Sequence, residues 1–67
     1  MSVAKVIEIT ADSETGFEDA IQKGIRKASE TVDNIRAAWV ANQEVMVDGS
    51  TVKGYRVHMR VTFVLND

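Results

Sequence analysis

The chain contains no cysteine and no proline, and it has a single histidine among its 67 residues. The lack of cysteine excludes a disulfide scaffold, a cysteine-ligated zinc site and a thiol nucleophile. One histidine cannot supply a cluster of histidine ligands within one chain. Aromatic residues make up only 6% of the sequence and include one tryptophan. We therefore expect neither an enzyme active site nor a resident metal.

Charge and hydrophobicity also exclude some classes of partner. The net charge is −2 at pH 7, whereas a dedicated nucleic-acid binder normally needs a basic surface to neutralise phosphates. No apolar run approaches the roughly 18 residues of a membrane span. The first residues also lack the apolar core of a signal peptide. We therefore expect a soluble, cytoplasmic protein without nucleic-acid or membrane partners.

The length of the chain, 67 residues, predicts a single domain spanning 1–67. A chain this short usually needs disulfides, a metal, unusually tight packing or partner subunits to be stable. Hydrophobic residues make up 45% and charged residues 27% of the sequence, which is a globular composition. Because disulfides are excluded, we expect the protein to form a homo-oligomer.

The first half of the chain predicts a strand followed by an amphipathic helix. Residues 3–10 are rich in β-branched side chains, which favour a strand. Thr15 and Glu18 have the spacing of a capping box, in which each side chain satisfies a free backbone N–H at the helix start. Apolar residues then recur every three or four positions and define a helix that ends near 33–34. Gly24 lies on this apolar stripe and predicts close approach of another backbone.

The second half predicts a β-hairpin. Residues 35–47 read as a strand, and Asp48, Gly49 and Ser50 form a hairpin turn signal. Residues 55–65 alternate between apolar and polar side chains, which indicates a strand with one buried face. The order is therefore β-α-β-β. The fold class is α+β, a three-stranded antiparallel sheet packed on one helix.

Strand alternation predicts what the uncovered face of this sheet carries. A hairpin loop with an even number of residues pairs odd positions of the second strand with even positions of the third. Trp39 and Gln43 are then expected on the same face as Arg56, His58 and Arg60. One helix cannot cover both faces of a sheet. This face must therefore meet solvent, a ligand or another subunit.

Several interpretations of these side chains remain open at this point. Trp39 either stacks on a planar ligand such as a flavin or a base, or packs in the core or a subunit interface. Arg56 and Arg60 either bind an anion or form ion pairs with carboxylates such as Glu44. His58 has no nucleophile in a recognisable motif beside it, so it reads as a non-catalytic histidine with satisfied hydrogen bonds.

Across its whole length the chain resembles the dodecins. The resemblance depends on the order and spacing of short phrases, namely KVIEI at 5–9, DS and GF within 12–17, AI at 20–21, TVDNI at 31–35, YRV at 55–57 and VTF at 61–63. It implies a hollow homo-dodecamer that stores flavin and is not an enzyme. In typical members the flavins bind in pairs at subunit contacts and stack between tryptophans.

The resemblance also implies positions for the flavin contacts, and each of them carries a different residue here. The stacking tryptophan position falls at Ala37, while the tryptophan of this chain is Trp39, one pleat further and roughly 6 to 7 Å along the strand. The glutamine that binds the flavin ring falls at Arg56. An acidic position near the ribityl chain falls at Met46, and a nearby aspartate position falls at Asn42.

We therefore expect a non-enzymatic protein that stores flavin (riboflavin or FMN), or a related planar anionic ligand, at the contacts of a dodecamer. The alternative is a dodecin-like structural or ion-binding shell without a flavin site. The expected ligand-binding residues are Trp39, Arg56, Gln43, Ala37 and Met46, with Arg60 and His58 as further anion contacts.

Overall fold

A computed structural model of the chain describes residues 3–65. Its elements, in chain order, are strand β1 (Val3–Ser13), helix α1 (Phe17–Ala28), strand β2 (Ile35–Asp48) and strand β3 (Thr51–Leu65). The strands form one antiparallel sheet in the order β1-β3-β2, so β3 is central. The predicted β-α-β-β order and the single sheet packed on one helix are confirmed. Within the described residues, no helix has the length and apolar character needed to cross a membrane.

Helix α1 packs on β1 and β3 and buries one face of the sheet. The centre of the core consists of Ala20 from the helix and alternate residues of β3, Val57, Met59 and Val61. The rings of Phe17 and Tyr55 meet edge to face, with centroids 5.1 Å apart, and hold the start of the helix against β3. Because strand side chains alternate, the residues between these core positions point to the uncovered face.

Strand β1 extends three residues beyond its predicted end at Thr10. Asp12 and Ser13, which lie beyond the predicted strand, pair with Arg56 and Tyr55 of β3. The long central strand offers backbone partners at these positions. Pairing with β3 thus outweighs the intrinsic preference of aspartate and serine for turns.

The predicted capping box of Thr15 and Glu18 is wrong. Gly16 precedes the first helical residue and makes no side-chain cap. Instead the hydroxyl of Ser13, which is only 5% exposed, accepts hydrogen bonds from the backbone N–H groups of Thr15 and Gly16. The same hydroxyl donates a 2.6 Å hydrogen bond to the Asp19 carboxylate. This bond holds the pKa of Asp19 below its usual value.

The helix ends at Ala28 and not near 33–34 as predicted. The N–H groups of Glu30 and Thr31 donate to carbonyls three residues back, which tightens the chain into a turn. Asn34 then adopts a left-handed conformation with φ of 64° and leads into β2. Asparagine tolerates this conformation better than most residues. Val32 continues the helical spacing in the sequence but belongs to this connection.

Gly24 marks a close approach, but of side chains rather than of the predicted backbone. A Cβ at this position would lie 2.8 Å from the ε-methyl of Met59 and 3.0 Å from the Cβ of Ala11. Real Cβ atoms do not pack this closely. The missing side chain therefore lets α1 sit directly on the side chains of β1 and β3.

The predicted turn is confirmed, because β2 ends at Asp48 and β3 begins at Thr51. Gly49 supplies the positive φ, 64°, that such a tight turn needs. The predicted pairing of β2 with β3 is also correct in the first half of β2. There Trp39 lies opposite Arg60 and Val40 lies opposite Met59.

The alignment of Gln43 was predicted wrongly. A β-bulge at Ala41 places Val40 opposite Met59 and Asn42 opposite His58, so the alternation of β2 shifts by one residue. Gln43 therefore lies opposite Val57, on the side of the helix. On the uncovered face, Asn42 and Glu44 take the place that was expected for Gln43.

The close packing at Gly24 predicts that a larger side chain is tolerated poorly there. Gly24→Val is expected to lower the free energy of unfolding by about 1 to 3 kcal/mol, because the helix must move away from the sheet. Gln22→Val, which places the same valine side chain at an exposed position of α1, is the control. Chemical denaturation at one fixed subunit concentration checks this. Equal stability of the two variants would contradict the packing argument.

Candidate functional site

The uncovered face of the sheet presents its side chains in rows across the three strands. The central strand supplies the cations, and the two edge strands supply carboxylates, polar groups and the tryptophan. The rows, read from β1 through β3 to β2, are Val6–Thr62–Ala37, Glu8–Arg60–Trp39, Thr10–His58–Asn42 and Asp12–Arg56–Glu44. We call this surface the open face. Its first row is small and largely apolar, and its last row is fully charged.

Trp39 is the most exposed large aromatic group on the open face. Its side chain is 62% exposed, although an indole usually gains stability from burial. The guanidinium carbon of Arg60 lies 4.9 Å from the centre of the indole ring. This distance is within the range of a cation–π interaction. One side of the indole is therefore covered by a cation.

Arg56 is held by carboxylates on both edge strands. Its Nε donates to one oxygen of Asp12 at 2.7 Å and its Nη2 to the other at 3.1 Å, which is a bidentate pair. Its Nη1 lies 3.7 Å from Glu44. The hydrogen bond from Arg56 holds the pKa of Asp12 below its usual value, and the same bond raises the pKa of Arg56. Of the two interpretations of Arg56, the structure contains the ion pair.

His58 has a partner at each ring nitrogen. Its Nε2 lies 3.0 Å from the Glu44 carboxylate, which can only accept, so Nε2 carries a hydrogen. Its Nδ1 lies 3.2 Å from the Thr10 hydroxyl, which donates to a neutral ring or accepts from a protonated one. The expected histidine with satisfied hydrogen bonds is what the structure contains. Glu44 thus links His58 to Arg56 across the face.

The open face brings together most of the residues that the sequence singled out. Trp39, Arg60 and His58 occupy neighbouring rows, and Ala37 lies in the row next to Trp39. An open concavity of about 530 Å³ lies over the middle of the face. Its polar lining residues are Glu8, Thr10, Asn42, Gln43, Glu44, His58 and Arg60.

Two of the predicted ligand-binding residues lie away from this concavity's centre. Met46 is opposite Gly54 near the hairpin end, with its ε-methyl 2.9 Å from where a Cβ of that glycine would be. Gln43 lies opposite Val57 on the helix side of the sheet, where it lines a second cavity together with Phe17 and Ile21, although it also borders the edge of the concavity. The bulge at Ala41 is the physical reason why Gln43 lies on the helix side of the sheet.

Sequence reasoning did not assign Glu44 and Asn42 to the open face, although the sequence carries a signal for them. Apolar residues of β2 fall on an even position at Val40 and on odd positions at Val45 and Val47. A regular strand cannot place both sets on one side. A change of phase between residues 40 and 45 therefore requires one extra residue, which is the bulge.

A second uncovered apolar surface lies at the hairpin, on the side of the sheet that carries the helix. Val45 lies opposite Tyr55, whose ring contacts Phe17, and Val47 lies opposite Val52. These three valines are between 43% and 57% exposed, because the hairpin extends beyond the helix. A single subunit thus leaves apolar area exposed on both sides of its sheet.

The bidentate pair predicts a pH-dependent contribution to stability. The pKa of Asp12 is lowered in the folded protein, so the pair stabilises the fold above the ordinary aspartate range and loses its effect as the pH falls through the lowered value. Asp12→Asn is therefore expected to lower the thermal midpoint at pH 7, with a difference from wild type that shrinks toward pH 2. Thermal unfolding between pH 7 and pH 2 checks this. A difference that stays constant over this range would contradict it.

Comparison with known proteins agrees with the fold and with this arrangement of strands. The family model described as Dodecin matches residues 3–66. The chain is 40% identical over 63 residues to the calcium dodecin of Mycobacterium tuberculosis, covering 94% of this chain and 89% of that protein.

Solved structures show the same relationship. A variant of the Thermus thermophilus dodecin superposes with a TM-score of 0.93 at 30% identity, covering 100% of both chains. The crystal structure of the M. tuberculosis calcium dodecin, described as having a novel calcium-binding site, gives a TM-score of 0.82 at 36% identity, covering 97% of this chain and 93% of that one. The matched region contains the whole described sheet and helix, and the chain therefore belongs to the dodecin family.

Proposed function

We propose that this dodecin is a non-enzymatic storage protein that binds a planar aromatic ligand at contacts between identical subunits. The default ligand is a flavin, riboflavin or FMN, or a related planar anion. The observation that carries this proposal is the 62% exposed indole of Trp39 on a sheet face that the helix leaves open. An exposed indole provides a flat apolar surface on which an aromatic ring can stack.

The surroundings of Trp39 support stacking of an extended ring system. Ala37 and Val6 occupy the adjacent row, so a ring that projects past the indole meets small or apolar side chains. Arg60 lies in the same row as Trp39 and offers hydrogen-bond donors to polar ring substituents, and His58 lies in the next row. In this proposal Arg56 is kept in place by Asp12 and supports the polar end of the face.

The position of Trp39 on an edge strand supports a site shared between subunits. Strand β2 pairs with β3 along one edge, and within residues 3–65 no other strand pairs with its outer edge. A second copy can approach this edge and bring its own Trp39 to the opposite side of the ligand. Burial of the exposed valines of the hairpin would stabilise such contacts by roughly 25 cal/mol per Å² of apolar surface.

Removal of the indole tests the proposed stacking. Trp39→Ala is expected to weaken riboflavin and FMN binding about tenfold or more, because base-sized rings gain roughly 1 to 3 kcal/mol from an aromatic platform. Quenching of flavin fluorescence during titration measures this. Gln22→Ala, at an exposed position of α1 on the other side of the sheet, is the control and should bind as wild type does. Equal quenching by Trp39→Ala and wild type would contradict the stacking role.

A second candidate function is an ion-binding shell without an organic ligand. It is favoured by the 40% identity to a protein named calcium dodecin and by the different residues at the four flavin-contact positions. Within residues 3–65, no group of three or more histidine, cysteine or acidic residues of one subunit is arranged to hold a metal. In this candidate, carboxylates such as Glu8 and Glu44 of neighbouring subunits share the calcium ion.

The two candidates differ in the effect of calcium on assembly. Twelve subunits of 7.4 kDa give a mass of about 89 kDa (12 × 7.4), which static light scattering can measure. If flavin storage is correct, the mass and the thermal midpoint should be the same in calcium and in excess chelator. If the shell binds calcium, the chelator should lower the midpoint or the mass, whereas magnesium should not restore them. A mass near 7.4 kDa in both conditions would contradict both candidates.

A further inference from the structure

Arg60 differs from Arg56 and His58, the other two basic residues that the central strand places on the open face. Arg56 is held by Asp12 and Glu44, and the ring of His58 also contacts Glu44. Within the described part of the chain, no carboxylate lies within 4.0 Å of the Arg60 guanidinium, and its side chain is exposed. Among residues 3–65, the indole of Trp39 is therefore the contact that the structure gives its guanidinium.

Arg60 also borders both the indole of Trp39 and the concavity of the open face. It lies opposite Trp39 on one side and opposite Glu8 on the other, and it lines the concavity of about 530 Å³. Its guanidinium covers one side of the indole at 4.9 Å. A ring that stacks on this side of Trp39 must therefore displace Arg60.

We propose that Arg60 determines which planar ligands bind, by covering Trp39 in the free protein and pairing with an anionic group of the ligand once it is displaced. This inference rests on the proposed stacking of a ring on Trp39. It predicts a preference for a planar ring that carries a phosphate over the same ring without one. FMN and riboflavin differ in this way.

The physical argument compares the contacts that Arg60 loses and gains. A cation–π contact at an exposed site is weak, so a stacked ring can replace it. The released guanidinium has five N–H donors in a planar fork that matches phosphate oxygens. A ligand with a phosphate supplies a partner for this fork. A neutral ligand supplies none and leaves Arg60 only the cross-strand carboxylate of Glu8.

The charge at this position can be removed with little change in shape. Arg60→Gln keeps a planar polar side chain, and Arg26→Gln, on an exposed position of α1, is the matched control. Wild type and the control should bind FMN about tenfold more tightly than riboflavin. A hydrogen bond to a charged group contributes enough binding free energy to change a dissociation constant by about this factor. Arg60→Gln should bind the two flavins about equally, with riboflavin bound at least as tightly as by wild type. An unchanged preference in Arg60→Gln, or equal binding by wild type, would overturn the inference.

A measurement without flavin separates this inference from the proposed function. The chain has one tryptophan, so its fluorescence reports on Trp39 alone. Inorganic pyrophosphate should draw Arg60 from the indole and change this fluorescence in wild type and in Arg26→Gln, but not in Arg60→Gln. Sodium chloride at matched ionic strength controls for screening.

The combined results identify which statement fails. A pyrophosphate response without flavin binding would contradict flavin storage and would support only the displacement of Arg60 from the indole by an anion. Flavin binding with no FMN preference and no pyrophosphate response would contradict the role of Arg60 and support storage. Absence of both flavin binding and a pyrophosphate response would contradict both.

Discussion

Helix α1 is the only layer that covers the three-stranded sheet within the described residues, and it packs on β1 and β3. It therefore buries one face of the sheet and leaves the other face and the β2–β3 hairpin uncovered. Because Gly24 has no side chain, the helix lies in direct contact with Met59 and Ala11. The small core is therefore closely packed at this point. The arrangement of the open face depends on this one-sided packing, because the side chains that alternate with the core residues of β3 are left uncovered.

The bulge at Ala41 determines the composition of the open face. It keeps Trp39 opposite Arg60 but moves Asn42 and Glu44 onto that face in place of Gln43. A glutamine would have been a neutral donor and acceptor, whereas Glu44 brings a charge. One extra residue in an edge strand thus adds a carboxylate to this face, and that carboxylate contacts both Arg56 and His58.

The three basic residues that β3 places on the open face have different partners. Arg56 and His58 share Glu44, while Arg60 contacts an aromatic ring. Exposed ion pairs contribute little to stability individually, about 0 to 1 kcal/mol. Their effect here is orientation, since paired side chains are held in place. Arg60, which has no carboxylate partner within residues 3–65, lies against Trp39, the only tryptophan of the sequence.

The sequence by itself determined the order of elements, the hairpin turn and the alternation of apolar and polar side chains along β3, because these follow from local residue spacing. It also placed Trp39 and Arg60 on one face, since no irregularity separates them from their partners. Only the tertiary structure decided that β1 extends to Ser13, because pairing with β3 outweighs a local turn preference. It also decided the ends of the helix and the partner of Arg56. The alignment beyond Ala41 depended on cross-strand packing, and a shift of one residue there reverses every side chain that follows.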